Sequence, residues 1–487
     1  MVTSGVYDSA QMRRTKIIAT LGPATDRPEI LRGVLENGAD ALRLNFSHGD
    51  WNVRYRRIAE VRAAAAELGR CVALLGDLQG PKIRIASFAD GPVRLQDGAE
   101  FFLDAKLEAN AGDVHGVGLN FLTLSEDVAP GDTLLLDDGN VELRVQEIRG
   151  TRVHCGVVHG GVVSDHKGVN KRGGGLLAVP ALTEEDRRDL KLAAEAELDW
   201  IAVSFVRDGT DIETARRLIR EAGGSAHIIA KIERSEALDN LDDILDAADA
   251  VMVARGDLGI ETGYEGLIGQ QKSIIRRARH RHRVVITATQ MMESMIDRPL
   301  PTRAEVSDVS NAVMDGTDAV MLSAESAVGE YAAEAVAAMA SICQGAEAWM
   351  PDRMETSPVT EGAFKRVDEG IAKAAMYAAN HMDVRAIAAL TESGATALWM
   401  SRIRSDLPIF ALTRHSGSQR RVTLYRGVVP VAFDVTETQP DKLFRAIFER
   451  LKEEGGLESG DLVIITKGAI TGVSGHTDSL TVLRIED

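Results

Sequence analysis

Residues 228–257 read Ile-Ile-Ala-Lys-Ile-Glu-Arg-Ser-Glu-Ala-Leu-Asp-Asn-Leu-Asp-Asp-Ile-Leu-Asp-Ala-Ala-Asp-Ala-Val-Met-Val-Ala-Arg-Gly-Asp. A short aliphatic run, Ile228–Glu233, leads through a segment of helical period to a second run, Val251–Arg255. Such continuous apolar runs are the strands of a parallel sheet covered on both faces. The same unit recurs at Lys16–Leu21, Ala41–Phe46, Val72–Leu78, Trp200–Phe205, Val284–Thr289 and Ala319–Ser323. These eight runs start about 24 to 35 residues apart, save for one gap of roughly 120 after the third. The pattern predicts a (β/α)8 barrel with a domain inserted after strand three.

The insert, residues 87–179, carries Asp-Gly and Pro-Gly turn signals between short runs such as Thr133–Leu136, and is expected to be a small β-barrel domain. Gly173-Gly174-Gly175, near its exit, reads as a hinge or as a plain loop. From residue 351 the pattern restarts, with a helix over Gly362–His381 and strands at Ala386–Leu390, Ile409–Thr413, Val428–Phe433 and Leu462–Thr466. This predicts an open α/β domain over 351–487, with Ser479–Ile485 as an added edge strand. The catalytic barrel is then 1–86 together with 180–350.

Composition narrows the class. Of 487 residues 45% are hydrophobic, which excludes disorder as the main state, and the net charge of -17 excludes a general nucleic-acid coat. No apolar run approaches the roughly 20 residues of a membrane span. Met1–Arg14 lacks the apolar core of a signal peptide, and Cys71, Cys155 and Cys343 are an odd, scattered trio that suits a reducing compartment. The expectation is an acidic, multidomain cytoplasmic enzyme with neither nucleic acid nor membrane as partner.

Polar residues interrupt the barrel strands at their C-terminal ends, where sites of this fold are built. Strand two ends Arg43-Leu-Asn45-Phe-Ser47-His48, and alternation puts Arg43, Asn45 and Ser47 on one face. Strand three ends at Asp77 and runs into Gly80-Pro-Lys82-Ile-Arg84; strand five ends Lys231-Ile-Glu233. Strand six ends Arg255-Gly256-Asp257, strand seven Thr287-Ala-Thr289-Gln290, and strand eight at Ser323. Taken singly, each has a plain alternative: Asp77 or Asp257 as a helix cap, Lys231 as a snorkelling lysine, Thr289 as a strand threonine, His48 as a structural hydrogen-bonder, Arg279–Arg283 as a solvated helix end. Together they form a constellation. Glu233 and Asp257, on neighbouring strands, could share one Mg²⁺, while Arg43, Arg84, Lys167 and Lys231 suit phosphate oxygens. The turn Gly256–Gly259 opens a short helix whose free N–H groups suit a carboxylate or phosphate. A metal, a cation cluster and no nucleophile describe phosphoryl transfer by positioning and charge neutralisation. No Gly-x-x-x-x-Gly-Lys-Ser/Thr loop occurs, which excludes a P-loop enzyme.

With these residues in place, the chain resembles pyruvate kinase along nearly its whole length. The matching blocks lie at 15–25, 42–49 (Leu-Arg-Leu-Asn-Phe-Ser-His-Gly), 76–84 (Gly-Asp-Leu-Gln-Gly-Pro-Lys-Ile-Arg), 166–170, 229–233, 254–259 (Ala-Arg-Gly-Asp-Leu-Gly), 288–295 and 321–325. The resemblance implies transfer of the phosphoryl group of phosphoenolpyruvate to ADP, giving pyruvate and ATP in the last step of glycolysis. It also implies a lid-like insert, a regulatory C-terminal domain and a homotetramer. Lys231 would stabilise the phosphoryl group in flight, and Glu233 and Asp257 would hold Mg²⁺ or Mn²⁺. Arg43 would grip the substrate phosphate, and Gly256, Asp257 and Thr289 its carboxylate end, with Thr289 linked to protonation of the enolate. Asn45, His48, Arg84 and Lys167 would contact the nucleotide phosphates, with Thr20 and Pro23 near base and ribose; Arg84, beside Lys231, Thr289 and Arg43, completes the catalytic set.

One departure is informative. Family members that need K⁺ hold it with matches to Asn45, Ser47, Asp77 and a threonine after the aspartate; here that position is Leu78, and Lys82 stands where those members carry Glu. The pattern resembles a bacterial branch in which the Lys82 ammonium substitutes for K⁺, so K⁺ is expected not to be required. In the C-terminal domain Thr391-Glu-Ser393-Gly394-Ala-Thr396 matches the effector-phosphate loop, but Glu392 and Ala395 replace basic residues. That predicts AMP or a sugar monophosphate as effector, against the alternative of a plain capped helix. Two rivals remain: a metal-dependent carbon–carbon lyase on the same barrel, which has no need of Lys231, Arg84 or the insert, and a silent metabolite sensor, which has no need of the full Lys231, Glu233, Asp257 and Thr289 set.

Overall fold

The structure is a computed structural model and describes residues 12–175, 180–349, 364, 366–436, 439, 442–469 and 475–486. Strands β1 (Lys16–Thr20), β2 (Ala41–Asn45), β3 (Ala73–Asp77), β4 (Trp200–Val203), β5 (His227–Ile232), β6 (Ala250–Ala254), β7 (Val284–Ala288) and β8 (Ala319–Leu322) close into an all-parallel barrel in chain order. Each lies within two residues of its predicted run at its start and its end, because apolar runs bounded by helix-forming segments leave little choice of period.

Alternation sorts the strand residues into two apolar layers. Leu42, Leu44, Leu74, Val203, Ile228 and Val253 face the surrounding helices. Inside, small residues (Ala41, Ala202, Ala319) interleave with large ones (Leu75, Trp200, Ile229) and fill the barrel. The inward series continues upward as Arg43 above Ala41, Asp77 above Leu75, Ser204 above Ala202, and Lys231 above Ile229, so the filling turns polar at the C-terminal end, while at the N-terminal end Lys16 and His227 meet the C-terminal domain.

The insert forms a six-stranded sheet in the order Val169–Lys171, Thr133–Leu136, Val141–Arg149, Arg152–His159, Glu100–Asp104, Gly116–Gly118, with a two-stranded ribbon beside it. Residues 83–86 bridge its two outer strands: Val169 N–H donates to Ile83 O (3.0 Å), Ile85 N–H to Lys167 O (2.9 Å) and Ala86 N–H to Gly118 O (2.8 Å). These bonds close the small β-barrel around its own apolar core. Residues 83–86, which the sequence reading left with the large barrel, therefore hydrogen-bond within the insert. On the return side, Gly173, Gly174 and Gly175 all have positive φ (83°, 75° and 89°), which only glycine adopts in succession without strain. The exit boundary at 179/180 and the boundary at 350/351 fall at or beside residues outside those described.

The C-terminal sheet runs β11 (Val428–Ala432), β10 (Ile409–Thr413), β9 (Ala386–Leu390), β12 (Leu462–Gly468), β13 (Thr477–Arg484), with β13 antiparallel to β12 as an edge. A helix at Val367–His381 precedes it; the start predicted at Gly362 lies outside the described residues. Met376, Met400, Leu424, Tyr425 and Val428 of this domain are continuous with the inward-facing residues of the large barrel. The domain thus covers the barrel's N-terminal end and leaves the C-terminal end for chemistry. Its seat includes the run Arg279–Arg283, which was expected to be a solvated helix end. Arg279 donates to Arg402 O (3.0 Å), and the His282 ring lies 4.1 Å from that of Trp399. Burial among other cations holds Arg279 down at about 10, and burial beside Arg402 lowers His282 to about 4. A domain packed from elsewhere in the chain, not local sequence, covers Arg279 and His282, while His280 stays exposed.

Candidate active site

The polar cap of the barrel centres on Lys231. Its Nζ lies 2.8 Å from Glu233 Oε1 and 3.2 Å from Asp77 Oδ1, and donates to Ser204 Oγ at 2.7 Å. Burial works against the ammonium, but Asp77 and Glu233 outweigh it and hold the lysine above its usual range. Asp77, itself buried, also accepts from Arg43 Nε at 2.6 Å. Burial alone would raise this carboxyl; Lys231 and Arg43 together bring it below the usual carboxylate range. The register makes this contact possible, because Asp77 lies opposite Asn45 on one side and Ala202 on the other.

Glu233, one residue past β5, accepts from the Phe205 N–H at 2.9 Å. Burial raises its carboxyl against the pull of Lys231, and Asp257 adds to the rise. Held up chiefly by burial and further by a second carboxylate, Glu233 stands where added positive charge would be favourable. Asp257 projects from the first turn of the helix Arg255–Thr262 that follows β6, the neighbour of β5. Among the described residues no group of three metal-ligating side chains occurs. Two carboxylates with positions left for substrate oxygens fit Mg²⁺, which keeps most of its coordination for water and phosphate.

Thr289 lies just beyond β7 with φ of +65°, and its Oγ1 accepts from Gly256 N–H at 3.0 Å. Gly256, Asp257 and Thr289 are therefore brought together, as expected. Lys82 reaches Asp257 Oδ1 at 3.3 Å and is only a quarter exposed. Leu78 is buried and contributes its carbonyl to Ser204 Oγ (2.7 Å).

Other predicted residues lie apart. Arg84 and Lys167 belong to the small barrel, where Arg84 Nη1 donates to His166 O (3.0 Å) and Lys167 pairs with Asp137 (2.7 Å). Ser47 lies past the end of β2 in a turn, where its N–H donates to Asn45 Oδ1 (3.1 Å), so strand alternation does not extend to it. His48 and Pro23 are exposed. Thr20, expected beside the nucleotide, is buried and spends its hydroxyl on Leu322 O (2.8 Å) and Arg43 Nη1 (3.1 Å).

Residues 12–336 match the family described as pyruvate kinase, barrel domain, and residues 369–483 match pyruvate kinase, alpha/beta domain. The chain belongs to the pyruvate kinase family. It is 52% identical over 482 residues to pyruvate kinase II of Salmonella typhimurium, covering 98% of this chain and 100% of that protein. Pyruvate kinase of Haemophilus influenzae is 51% identical over 94% of this chain and 96% of its own, and pyruvate kinase 2 of Synechocystis is 41% identical over 96% and 79%. The chain is thus a phosphotransferase that converts phosphoenolpyruvate and ADP to pyruvate and ATP. Pyruvate kinases generally use Mg²⁺ and usually K⁺. Among the described residues no helix is long and apolar enough to cross a membrane.

Sequence reasoning missed three supports of this pyruvate kinase site. Ser204 and Phe205 orient Lys231 and Glu233, and their only signal was a polar residue ending the β4 run. Glu325 is buried and accepts from Met292 N–H (3.1 Å) and Ser323 N–H (2.7 Å), tying the ends of β7 and β8 together; burial raises its carboxyl. In the C-terminal domain, Thr391 Oγ1 accepts from Gly394 N–H at 2.9 Å, but Thr396 is buried against Thr477 (2.7 Å), turned away from the loop surface. Glu392 pairs with Arg414 at 3.2 Å and with His415.

Proposed function

We propose that the Lys231 ammonium, held between Asp77 and Glu233 with Arg43 alongside, is the group that stabilises the phosphoryl group as it passes from phosphoenolpyruvate to ADP. The observation that carries this is its triple contact to Asp77, Glu233 and Ser204, which fixes a buried positive charge at the C-terminal end of the barrel. Arg43, already oriented by Asp77, offers its remaining donors to the substrate phosphate. Glu233 and Asp257 would hold Mg²⁺ or Mn²⁺, which when bound neutralises phosphate oxygens. Thr289 and the Gly256–Asp257 helix start hold the substrate carboxylate, Thr289 standing on the proton path to the enolate. Arg84 and Lys167, carried by the lid (residues 87–179 with the closing segment), would meet the nucleotide phosphates together with Asn45 and His48 when the lid lies over the cleft. A lactate-dehydrogenase-coupled assay with phosphoenolpyruvate, ADP and Mg²⁺ tests the whole reading, and no NADH loss would end it.

K⁺ independence follows from two residues. Leu78 supplies no side-chain oxygen, and Lys82 sets its ammonium 3.3 Å from Asp257 inside the cleft, where a monovalent cation would otherwise add charge. Turnover is expected to be the same within about twofold in Na⁺ and K⁺ buffers of equal ionic strength. A large K⁺ stimulation would sink the assignment.

The loop Thr391, Ser393, Gly394 is read as the seat of a monophosphate effector, AMP or a sugar phosphate, because Glu392 engages Arg414 and contacts His415, leaving little free positive charge for a second phosphate; Thr396, bonded to Thr477, would support the loop from beneath. A panel of sugar phosphates in the same assay decides, and no response returns the loop to a capped helix. A cytoplasmic homotetramer is the expected assembly. Exposed Tyr264, Ile268, Val306 and Met314, on the helices after β6 and β7, support subunit contacts there.

A further inference from the structure

Thr289 and Gln290 follow β7 with φ of +65° and +51°, two successive non-glycine residues in the left-handed region. For a β-branched threonine this is sterically disfavoured and persists only where surrounding contacts over-determine it. Most of the contacts come from one side chain, beside the Gly256 N–H on Thr289 Oγ1 and the Thr289 hydroxyl on Ala288 O (2.7 Å). Arg255, buried at the end of β6, donates from Nε to Ala288 O and Thr289 O (3.2 Å each) and from Nη2 to Thr289 O (2.7 Å) and Gln290 O (3.0 Å). Its Nη1 is held by both oxygens of Asp308, at 2.7 and 2.6 Å, from the helix Arg303–Asp315. Three successive carbonyls are gathered by one planar fork, which the single point of a lysine ammonium does not reproduce. The result aims Thr289 Oγ1 at the Gly256 N–H, beside Asp257.

We propose that Arg255 and Asp308 form a clamp of positioning residues that sets the Thr289 hydroxyl for proton transfer at C3 of the enolate. Both act through Thr289 and neither touches the reacting atoms, since every Arg255 nitrogen is committed to the turn or to Asp308. The inference rests on the proton-path reading of Thr289. Its readout separates proton transfer from phosphoryl transfer: exchange of the pyruvate methyl hydrogens in D2O, with Mg²⁺ and inorganic phosphate present, breaks a C3–H bond and forms a C3–D bond with no phosphoryl group transferred.

Three variants decide it: Thr289→Ala as reference, Arg255→Lys, which keeps charge but loses the fork, and Asp308→Asn, an isosteric change at a partly exposed site, each checked for the parent's oligomeric state. Each is compared with the parent at a temperature where their circular dichroism coincides. Displacement of a reacting group by about 1 Å costs up to 100-fold, so Arg255→Lys and Asp308→Asn are expected to slow exchange by roughly tenfold or more, with a smaller change in the KM for phosphoenolpyruvate. The double variant Thr289→Ala/Asp308→Asn should be no slower than Thr289→Ala alone. Parent-like exchange in both clamp variants while Thr289→Ala is slow overturns the clamp, as do effects that multiply in the double variant. Parent-like exchange in Thr289→Ala overturns the reading of Thr289 and the clamp with it.

Discussion

Lys231→Met is expected to lower phosphoryl transfer by roughly 10³-fold or more, the scale seen when a positioned cation is removed from a phosphoryl transition state. The methionine fills a similar volume, so the barrel should stay closed and Mn²⁺ should still bind, as electron paramagnetic resonance would show. Removal of the ammonium strands Asp77 and Glu233 close together. The Glu233 carboxyl, already raised by burial, then rises further above its ordinary 4.5. A carboxyl whose folded-state pKa is raised stabilises the fold below its unfolded value and loses that contribution as pH climbs through the folded one. The metal-free variant should therefore lose stability more steeply than the parent as pH climbs above about 4.5, and Mg²⁺ should reverse the loss. Activity within tenfold of the parent would refute the role given to Lys231.

Arg402→Ala is expected to destabilise the protein by about 3–5 kcal/mol, because it leaves a buried carboxylate without its partner. Arg402 and Asp318 are each only 1% exposed, and the guanidinium engages both Asp318 oxygens and the Arg283 carbonyl (2.8 Å). Asp318 in turn accepts from Val285 N–H (2.9 Å) at the foot of β7, so the pair joins the C-terminal domain to the barrel floor. Urea unfolding followed by tryptophan fluorescence reports on this junction, where Trp399 packs against His282. The double variant Arg402→Met/Asp318→Asn should recover part of the loss, since no unpaired charge is then buried. A loss under about 1 kcal/mol for Arg402→Ala would show that water reaches the pair.

The architecture was legible because its signals are local. Each barrel strand is a short apolar run of four to six residues, and the breaks at Arg43, Asp77, Lys231 and Glu233 stood out against it. Closure of the insert by 83–86 was not legible, since the pairing joins residues separated by about 80 positions on one side and about 30 on the other and leaves no periodic trace. The clamp on Thr289 escaped for a similar reason. Arg255 reads in sequence as the last residue of a strand run, and only the fold shows its guanidinium turned onto the neighbouring strand end.

Sequence alone determined the barrel, its order of strands, the family and the chemical types gathered at one end, because hydrophobic period and residue identity are properties of short segments. Tertiary structure alone decided which of those groups are paired, dry or turned away: Lys231 between two carboxylates, Lys82 on Asp257, Thr20 and Thr396 buried, and Arg279 beneath a second domain. Charge state and orientation depend on what is brought near from elsewhere in the chain and on how much water it displaces. Neither quantity is written in any single stretch of residues.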